Sequence, residues 1–307
     1  MSQRPVRDPS PGWPVSPRLM KIHIDGQLLD EADARISVFD HGLLYGDGVF
    51  EGIRFYNRRV FRLEEHIRRL YDSARSILLN IPIPPEELTA ALLETCRANN
   101  LADGYIRLVI TRGTGSLGLS PYKCPKPSVI IIACGLQIYP EEAYRSGLVL
   151  ATCATRRPTH DTLSPQVKSL NYLNNVMAKV EAIQAGAEEG LLLNERGLVA
   201  ECTADNIFVV RDGKVRTPSF AAGALDGITR KAVFEIAASL GIPMHEAEIS
   251  RHDIYTADEC FLTGTAAEVI AATKLDQRLI GDGKPGAVTN RVIAAFHELT
   301  RTTGTPF

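Results

Sequence analysis

Two Asp-Gly pairs constrain the architecture of this chain more than any other feature. Asp25-Gly26 follows an alternating run at residues 20–24, and Asp212-Gly213 separates short strand-like runs at 206–210 and 215–217. An Asp-Gly pair between two such runs favours a two-residue turn, and that turn joins antiparallel neighbours. Strands grouped through hairpins, without strict strand–helix–strand alternation, favour an α+β fold over a doubly wound parallel sheet.

Helical periodicity fills the space between these groups. Leu63, Ile67, Leu70, Ala74 and Ile77 recur at helical spacing, which predicts an amphipathic helix over 62–79. Pro82, Pro84 and Pro85 interrupt it, and a second helix is expected at 86–99. Residues 105–112 read as a strand with Tyr105, Arg107, Val109 and Thr111 on one face, and the apolar run 128–134 as a buried strand. Composition turns polar at 139–147, which reads as a linker. Beyond it come a strand at 148–155 and a helix from about Asn171, with Tyr172, Val176, Val180 and Ile183 on one face. A strand at 190–193 precedes the second hairpin, and a helix through Ala232, Val233, Ile236, Ala237 and Leu240 stops at Gly241. Strands at 259–262 and 269–274 and a helix at 289–300 complete the chain. At 307 residues the chain exceeds one average core. The expected division is therefore an N-terminal domain at 20–138, a linker at 139–147 and a C-terminal domain at 148–307. Residues 1–19, rich in Pro, Ser and Arg with no apolar stretch, read as a disordered extension.

Composition excludes several classes of function. A net charge of -2 argues against nucleic-acid binding, and no apolar run approaches the ~18 residues of a membrane span. Six cysteines without paired spacing read as reduced thiols of a cytoplasmic protein, with no metal site. Cys202 reads as a small buried residue. Nucleotide-binding glycine loops, H-E-x-x-H and G-x-S-x-G are absent.

What remains is a set of dispersed polar groups. Lys168 stands just before an Asn-rich helix start, and the lone acid Glu201 follows in Val199-Ala200-Glu201-Cys202-Thr203. Asp226-Gly227-Ile228-Thr229 leads into a helix, where first-turn N–H groups can hold an anion, although plain N-capping by Asp226 or Thr229 is the ordinary alternative. Thr263-Gly264-Thr265-Ala266-Ala267 leaves a strand through small residues whose amides can form an anion nest, or simply a turn. Arg69, with His66 and Ser73 at i−3 and i+4, can grip a phosphate bidentately or lie on a solvated helix face. Gly42, Gly46, Gly48 and Gly52 allow close approach of the backbone to a ligand or another chain. One lysine, one acid and several anion-holding groups are the parts that a pyridoxal-phosphate enzyme requires.

The wording and order of these motifs resemble the class IV (fold type IV) aminotransferases, and among them the branched-chain-amino-acid aminotransferases. The resemblance runs from residue 20 to the final helix. It rests on Phe39-Asp-His-Gly-Leu-Leu-Tyr45-Gly-Asp-Gly-Val-Phe50-Glu-Gly-Ile-Arg54, His66-Ile-Arg-Arg69-Leu, Tyr105-Ile-Arg107, Val167-Lys168-Ser-Leu-Asn-Tyr172, Glu201-Cys-Thr-Ala-Asp-Asn-Ile-Phe208, Gly227-Ile-Thr-Arg230 and Gly264-Thr265-Ala-Ala-Glu. It implies a two-domain architecture like that of D-amino-acid aminotransferase, with pyridoxal 5′-phosphate as cofactor. Lys168 is then the Schiff-base lysine and proton shuttle, Glu201 the partner of the pyridine nitrogen, and Tyr172 that of the phenolic oxygen. Arg69, the amides of Ile228 and Thr229, and Thr265 would hold the phosphate. For substrate, Tyr105 with the amides of Thr265 and Ala266 would take the α-carboxylate, Phe50 would wall the apolar pocket, and Arg107 would reach the distal carboxylate of glutamate. Tyr45 and the 113–119 loop would come from a neighbouring subunit, so the resemblance implies a homodimer or higher oligomer with its site at the subunit interface. The implied reaction is ping-pong transamination between L-Leu, L-Ile or L-Val and 2-oxoglutarate. The alternatives on this scaffold are a D-amino-acid or (R)-amine aminotransferase, an aminodeoxychorismate lyase and a non-enzymatic cofactor-binding protein. Thr111-Arg112-Gly113 is followed by 114–119 without histidine, unlike the carboxylate trap of the D-specific enzymes.

Overall fold

A computed structural model describes residues 20–136 and 138–307; the N-terminal extension expected at 1–19 lies outside the described residues. The chain divides into two compact units. One comprises residues 20–136, 167–171 and 300–307, and the other 138–166 and 172–299. Two stretches expected in the C-terminal domain thus pack with the first unit. Backbone pairing is the reason: residues 168–170 bond along a strand of that unit, and Thr305–Pro306 adds an edge strand to its sheet.

The first unit contains β1 (Lys21–Ile24), β2 (Gln27–Asp30), α1 (His41–Tyr45), β3 (Gly48–Tyr56), β4 (Arg59–Val60), α2 (Leu63–Ser76), α3 (Pro85–Asn99), β5 (Gly104–Thr111) and β6 (Ser128–Cys134). Seven strands form one sheet in the order Thr305–Pro306, β4, β3, β5, β6, β1, β2, every described pairing antiparallel. Asp25 and Gly26 have φ of 50° and 90°, as the Asp-Gly hairpin requires. Leu63, Ile67, Leu70 and Ala74 of α2 are buried as their spacing predicts, and they pack with Ile53, Phe55, Ile106, Leu108 and Ile131 of the sheet. Each such Leu or Ile contributes roughly 1.5–3 kcal/mol on burial. Pro85 begins α3, where a missing N–H costs nothing.

β3 was not expected as a strand, because Gly48 and Gly52 break its pattern. The close approach those glycines allow is to the chain itself. A Cβ on Gly52 would stand 2.1 Å from the Tyr105 hydroxyl. Beyond β4, the free edge of β3 pairs with 168–170: Phe50 N–H donates to the Lys168 carbonyl at 3.0 Å, and Leu170 N–H to that of Gly48 at 2.9 Å.

The second unit contains α4 (Glu141–Ser146), β7 (Leu148–Arg156), α5 (Leu173–Gln184), β8 (Glu189–Leu193), β9 (Val199–Cys202), β10 (Asn206–Arg211), β11 (Lys214–Thr217), α6 (Ile228–Ser239), β12 (Met244–Glu246), α7 (Arg251–Tyr255), β13 (Glu259–Gly264), β14 (Glu268–Leu275), β15 (Arg278–Leu279) and most of α8 (Ala287–Thr302). Its nine-stranded sheet runs β12, β11, β10, β13, β14, β7, β8, β9, with β15 beside β14. Asp212 and Gly213 have φ of 50° and 70° in the β10–β11 hairpin. Three pairs are parallel, β7–β8 joined through α5, β11–β12 joined through α6, and β14–β7 between strands distant in the chain, so hairpins dominate the sheet without being its only connection. α4 occupies the stretch expected as a linker. In α5 the packed face consists of Asn175, Ala178 and Ala182, whereas Val176 and Val180 of the apolar stripe are exposed, with Leu173 and Met177. Small residues let the helix axis lie close to β7 and β8, which a stripe of larger side chains would prevent.

Candidate active site

In the first unit, four expected residues come together beside β3. Phe50 pairs with Val109, Gly52 with Arg107 and Arg54 with Tyr105, so Phe50, Tyr105 and Arg107 share one face of the sheet. The Arg107 guanidinium carbon lies 4.7 Å from the Phe50 ring centroid and 5.4 Å from that of Tyr105. The ammonium of Lys168 stands 4.6 Å from the Phe50 centroid, on the same aromatic ring. Rings that carry cations on their π-faces also supply apolar surface, so this patch accommodates both kinds of group. Lys168 is half-buried. Its main chain is clamped on two sides, since its carbonyl accepts from Phe50 and its N–H donates to the Ser73 hydroxyl at 3.2 Å.

Arg69 is on the opposite, core-facing side of β3. Its Nε and Nη2 donate to the two oxygens of Glu51 at 2.7 and 2.8 Å, and His66 Nδ1 meets Glu51 Oε2 at 2.7 Å. Glu51 is wholly buried. Burial works against its charge, but Arg69 and His66 outweigh that penalty and hold its carboxyl well below the usual carboxylate range. Burial pushes His66 below its ordinary value, against the pull of Glu51 in the other direction. Tyr45 stands on α1 with the 113–119 loop: its hydroxyl accepts from Gly118 N–H at 3.0 Å and its ring meets His41 edge-on.

In the second unit the central group is Glu201, in the buried strand β9. One oxygen meets Arg157 Nη2 at 2.6 Å; the other accepts from Leu225 N–H at 2.8 Å and from Asn206 Nδ2 at 3.2 Å. Asn206 also donates to the Leu225 carbonyl, which ties the acid to the turn leading into α6. At that turn Gly227 is the N-cap and has no side chain to cap the helix. Asp226 pairs instead with Lys231 at 2.6 Å. The first-turn amides of Ile228 and Thr229 therefore point from an uncapped helix start, which favours the anion-holding reading over N-capping. A Cβ on Gly227 would come within 2.0 Å of Asn206 Oδ1, so glycine is required for this approach.

Thr265 and Ala266 occupy the β13–β14 turn as expected. Ala266 and Tyr172 line one pocket of about 310 Å³ with Ile138, Asn175, Thr203 and Asp205. Tyr139, at the start of the stretch expected as a linker, is buried in the core of its unit, where its hydroxyl donates to Glu189 at 3.3 Å. Cys202 is fully buried, and burial raises its thiol well above the ordinary range.

Sequence reasoning missed Arg157, Asn175, Asn206 and Glu51. Arg157 donates from Nε to Gly223 O at 3.1 Å and from Nη1 to Asn175 Oδ1 at 3.2 Å, so all three guanidinium nitrogens are engaged around Glu201. Nothing in the local sequence distinguishes it from Arg156. Glu51 had one usable signal: it is the lone acid in an otherwise apolar run that faces the helix bearing Arg69. Among the described residues no group of three or more His, Cys, Asp or Glu is arranged to hold a metal, and no helix is long and apolar enough to cross a membrane.

Comparison with known proteins agrees with this geometry. The family model for amino-transferase class IV matches residues 48–275. A putative branched-chain-amino-acid aminotransferase from Methanocaldococcus jannaschii is 49% identical over 91% of this chain and 96% of its own length. The crystal structure of the Escherichia coli branched-chain amino acid aminotransferase superposes with a TM-score of 0.90 at 36% identity, covering 93% of this chain and 97% of that one. A T.th. branched-chain amino acid aminotransferase complexed with N-(5′-phosphopyridoxyl)-L-glutamate gives 0.88 at 37% identity, with 92% and 95% covered. With a family model matched over residues 48–275 and a relative 49% identical over 91% of this chain, the protein belongs to the class IV aminotransferases.

Proposed function

We propose that this chain transfers the amino group of branched-chain L-amino acids to 2-oxoglutarate in a ping-pong reaction that uses pyridoxal 5′-phosphate. The observation that carries the reading is the Phe50–Tyr105–Arg107 patch beside Lys168, which combines apolar aromatic surface with a guanidinium. Such a patch suits a leucine side chain in one half-reaction and the distal carboxylate of glutamate in the other. The T.th. relative complexed with a phosphopyridoxyl-L-glutamate supports the second half.

The residues present fit the cofactor. Glu201 is a buried acid held on a frame of three donors, and a fixed acid suits a pyridinium nitrogen. An uncapped helix N-terminus at Gly227 suits a phosphate. When bound, the cofactor supplies the electron sink that lets an amino acid lose its Cα proton. The ε-amine of Lys168 holds the cofactor's aldehyde carbon and carries that proton to and from Cα. Clamping its main chain through Phe50 and Ser73 limits the search of a long, flexible side chain. Tyr172 takes the phenolic oxygen, Arg69, Ile228, Thr229 and Thr265 the phosphate, and Tyr105 with the Thr265 and Ala266 amides the α-carboxylate. Tyr45 and the loop bearing the exposed Leu117 and Leu119 serve a neighbouring subunit in a homodimer.

Single half-reactions test this reading. Purified protein loaded with pyridoxal phosphate is mixed with L-Leu, L-Ile, L-Val, L-Glu, D-Ala or an aromatic amine, and loss of cofactor absorbance is followed. Fast conversion by the branched-chain amino acids and L-Glu is expected; conversion by D-Ala or the amine alone would overturn the assignment.

A further inference from the structure

In the buried Glu51–His66–Arg69 cluster only Arg69 has a part in the chemistry above, yet the cluster joins the two elements that grip Lys168. Glu51 is fully buried on the core face of β3, and His66 is 1% exposed on α2. The Arg69 side chain, at 11%, is the member that reaches towards the surface. Both Glu51 oxygens are committed to Arg69 in a fork-to-fork pair, which sets the plane of the guanidinium as well as its position. His66 Nδ1 adds a bond to Oε2 at 2.7 Å.

A charged cluster in a core is a poor choice for stability alone, since apolar residues of similar volume serve as well or better. Its geometry suggests another use. Phe50, the residue before Glu51, donates its N–H to the Lys168 carbonyl, and Ser73, one turn beyond Arg69 on α2, accepts the Lys168 N–H. Two adjacent residues of β3 and one turn of α2 therefore hold both the Lys168 main chain and the Arg69 guanidinium.

We propose that Glu51 is a positioning residue: it locks Arg69 to the β3–α2 frame that carries Lys168, so that the phosphate anchor and the reactive amine are held at one separation. The proposal rests on the reading that Lys168 holds pyridoxal phosphate and Arg69 contacts its phosphate. Within that reading, Glu51 acts on the phosphate end alone and leaves the affinity of Lys168 for an aldehyde unaltered.

Pyridoxal, which has the aldehyde and ring but no phosphate, separates positioning from a general structural role. Full-length protein stripped of cofactor is titrated with pyridoxal 5′-phosphate and with pyridoxal, following absorbance, for wild type, Glu51→Gln, Glu51→Asp and Arg69→Gln. Wild type should prefer the phosphorylated ligand strongly. Glu51→Gln should lose at least about tenfold in affinity for pyridoxal phosphate, with pyridoxal affinity within about twofold of wild type, as should Arg69→Gln. Glu51→Asp keeps the core charge balance, withdraws the carboxylate by one methylene, and should show the same selective loss if Glu51→Gln does not fold. Equal losses for both ligands, or a preference that the Glu51 variants retain, overturn the proposal alone. A wild type without preference for the phosphorylated ligand overturns the functional reading and the proposal with it.

Discussion

At the scale of single residues, the candidate site draws on side chains whose neighbours are distant in sequence. Lys168→Ala should lower turnover by on the order of 10³-fold or more in a coupled assay with L-Leu and 2-oxoglutarate; near-normal rates would rule out its role. Arg107→Leu should slow the L-Glu half-reaction more than the L-Leu one, because the apolar surface of Phe50 remains while the guanidinium is lost. Arg157 was invisible to sequence reasoning because all its partners lie at least 18 residues away. Arg157→Met leaves Glu201 as a buried charge without its counter-ion, a loss of about 3–5 kcal/mol. The midpoint of denaturant unfolding of the cofactor-free protein measures it. Lys168 and Glu201 were singled out in the sequence for a different reason: the order of several separated motifs, not the neighbours of either residue, marked them as candidates.

At the scale of elements, periodicity located α2, α5 and α6 but misjudged the packed face of α5. Hydrophobic spacing identifies a helix, yet the face that packs depends on how closely the helix must approach its sheet. In α5, Ala178 and Ala182 are fully buried and Met177 is 49% exposed. Ala182→Leu should therefore destabilise by about 1–3 kcal/mol through overpacking, and Met177→Gln should stay within about 0.5 kcal/mol of wild type. Thermal unfolding of the two variants decides between the faces. β3 escaped notice because its glycines serve contacts rather than turns. β9 escaped because its four residues are all buried and include a charged one, so no alternation marks it as a strand. The hairpins were legible because an Asp-Gly pair encodes its backbone geometry within two residues.

At the scale of the whole molecule, the cysteines set the response to alkaline pH. Burial raises the thiols of Cys96 and Cys153 to about 12 and that of Cys134 to about 11, against about 8.5 in an unfolded chain. A folded pKa above the unfolded one means that the stability it carries is complete below about pH 8.5. It is lost as pH rises towards 11–12, because the unfolded chain releases protons that the folded chain retains. The melting temperature should thus begin to fall above about pH 8.5, and a flat profile to about pH 11 would contradict the burial of these thiols. Cys124 is half-buried whereas the other five cysteines are buried, so a thiol reagent at neutral pH should label Cys124 first and the rest only in denaturant. Glu51 gives the opposite slope in acid. Its folded pKa is depressed, so its contribution is present above about pH 4.3 and declines as pH falls below that value.

The sequence by itself determined the α+β class, the hairpins, most helices and the motifs that bear Lys168, Glu201 and the α6 start, since each depends on residues within a few positions of one another. Tertiary structure decided what those motifs touch. It put Arg157 and Asn206 around Glu201, Glu51 behind Arg69, and Phe50 and Ser73 on either side of the Lys168 main chain. Long-range pairing of β3 with residues 168–170 leaves no periodic trace in the chain, because a hydrogen bond between main-chain groups is indifferent to side-chain identity.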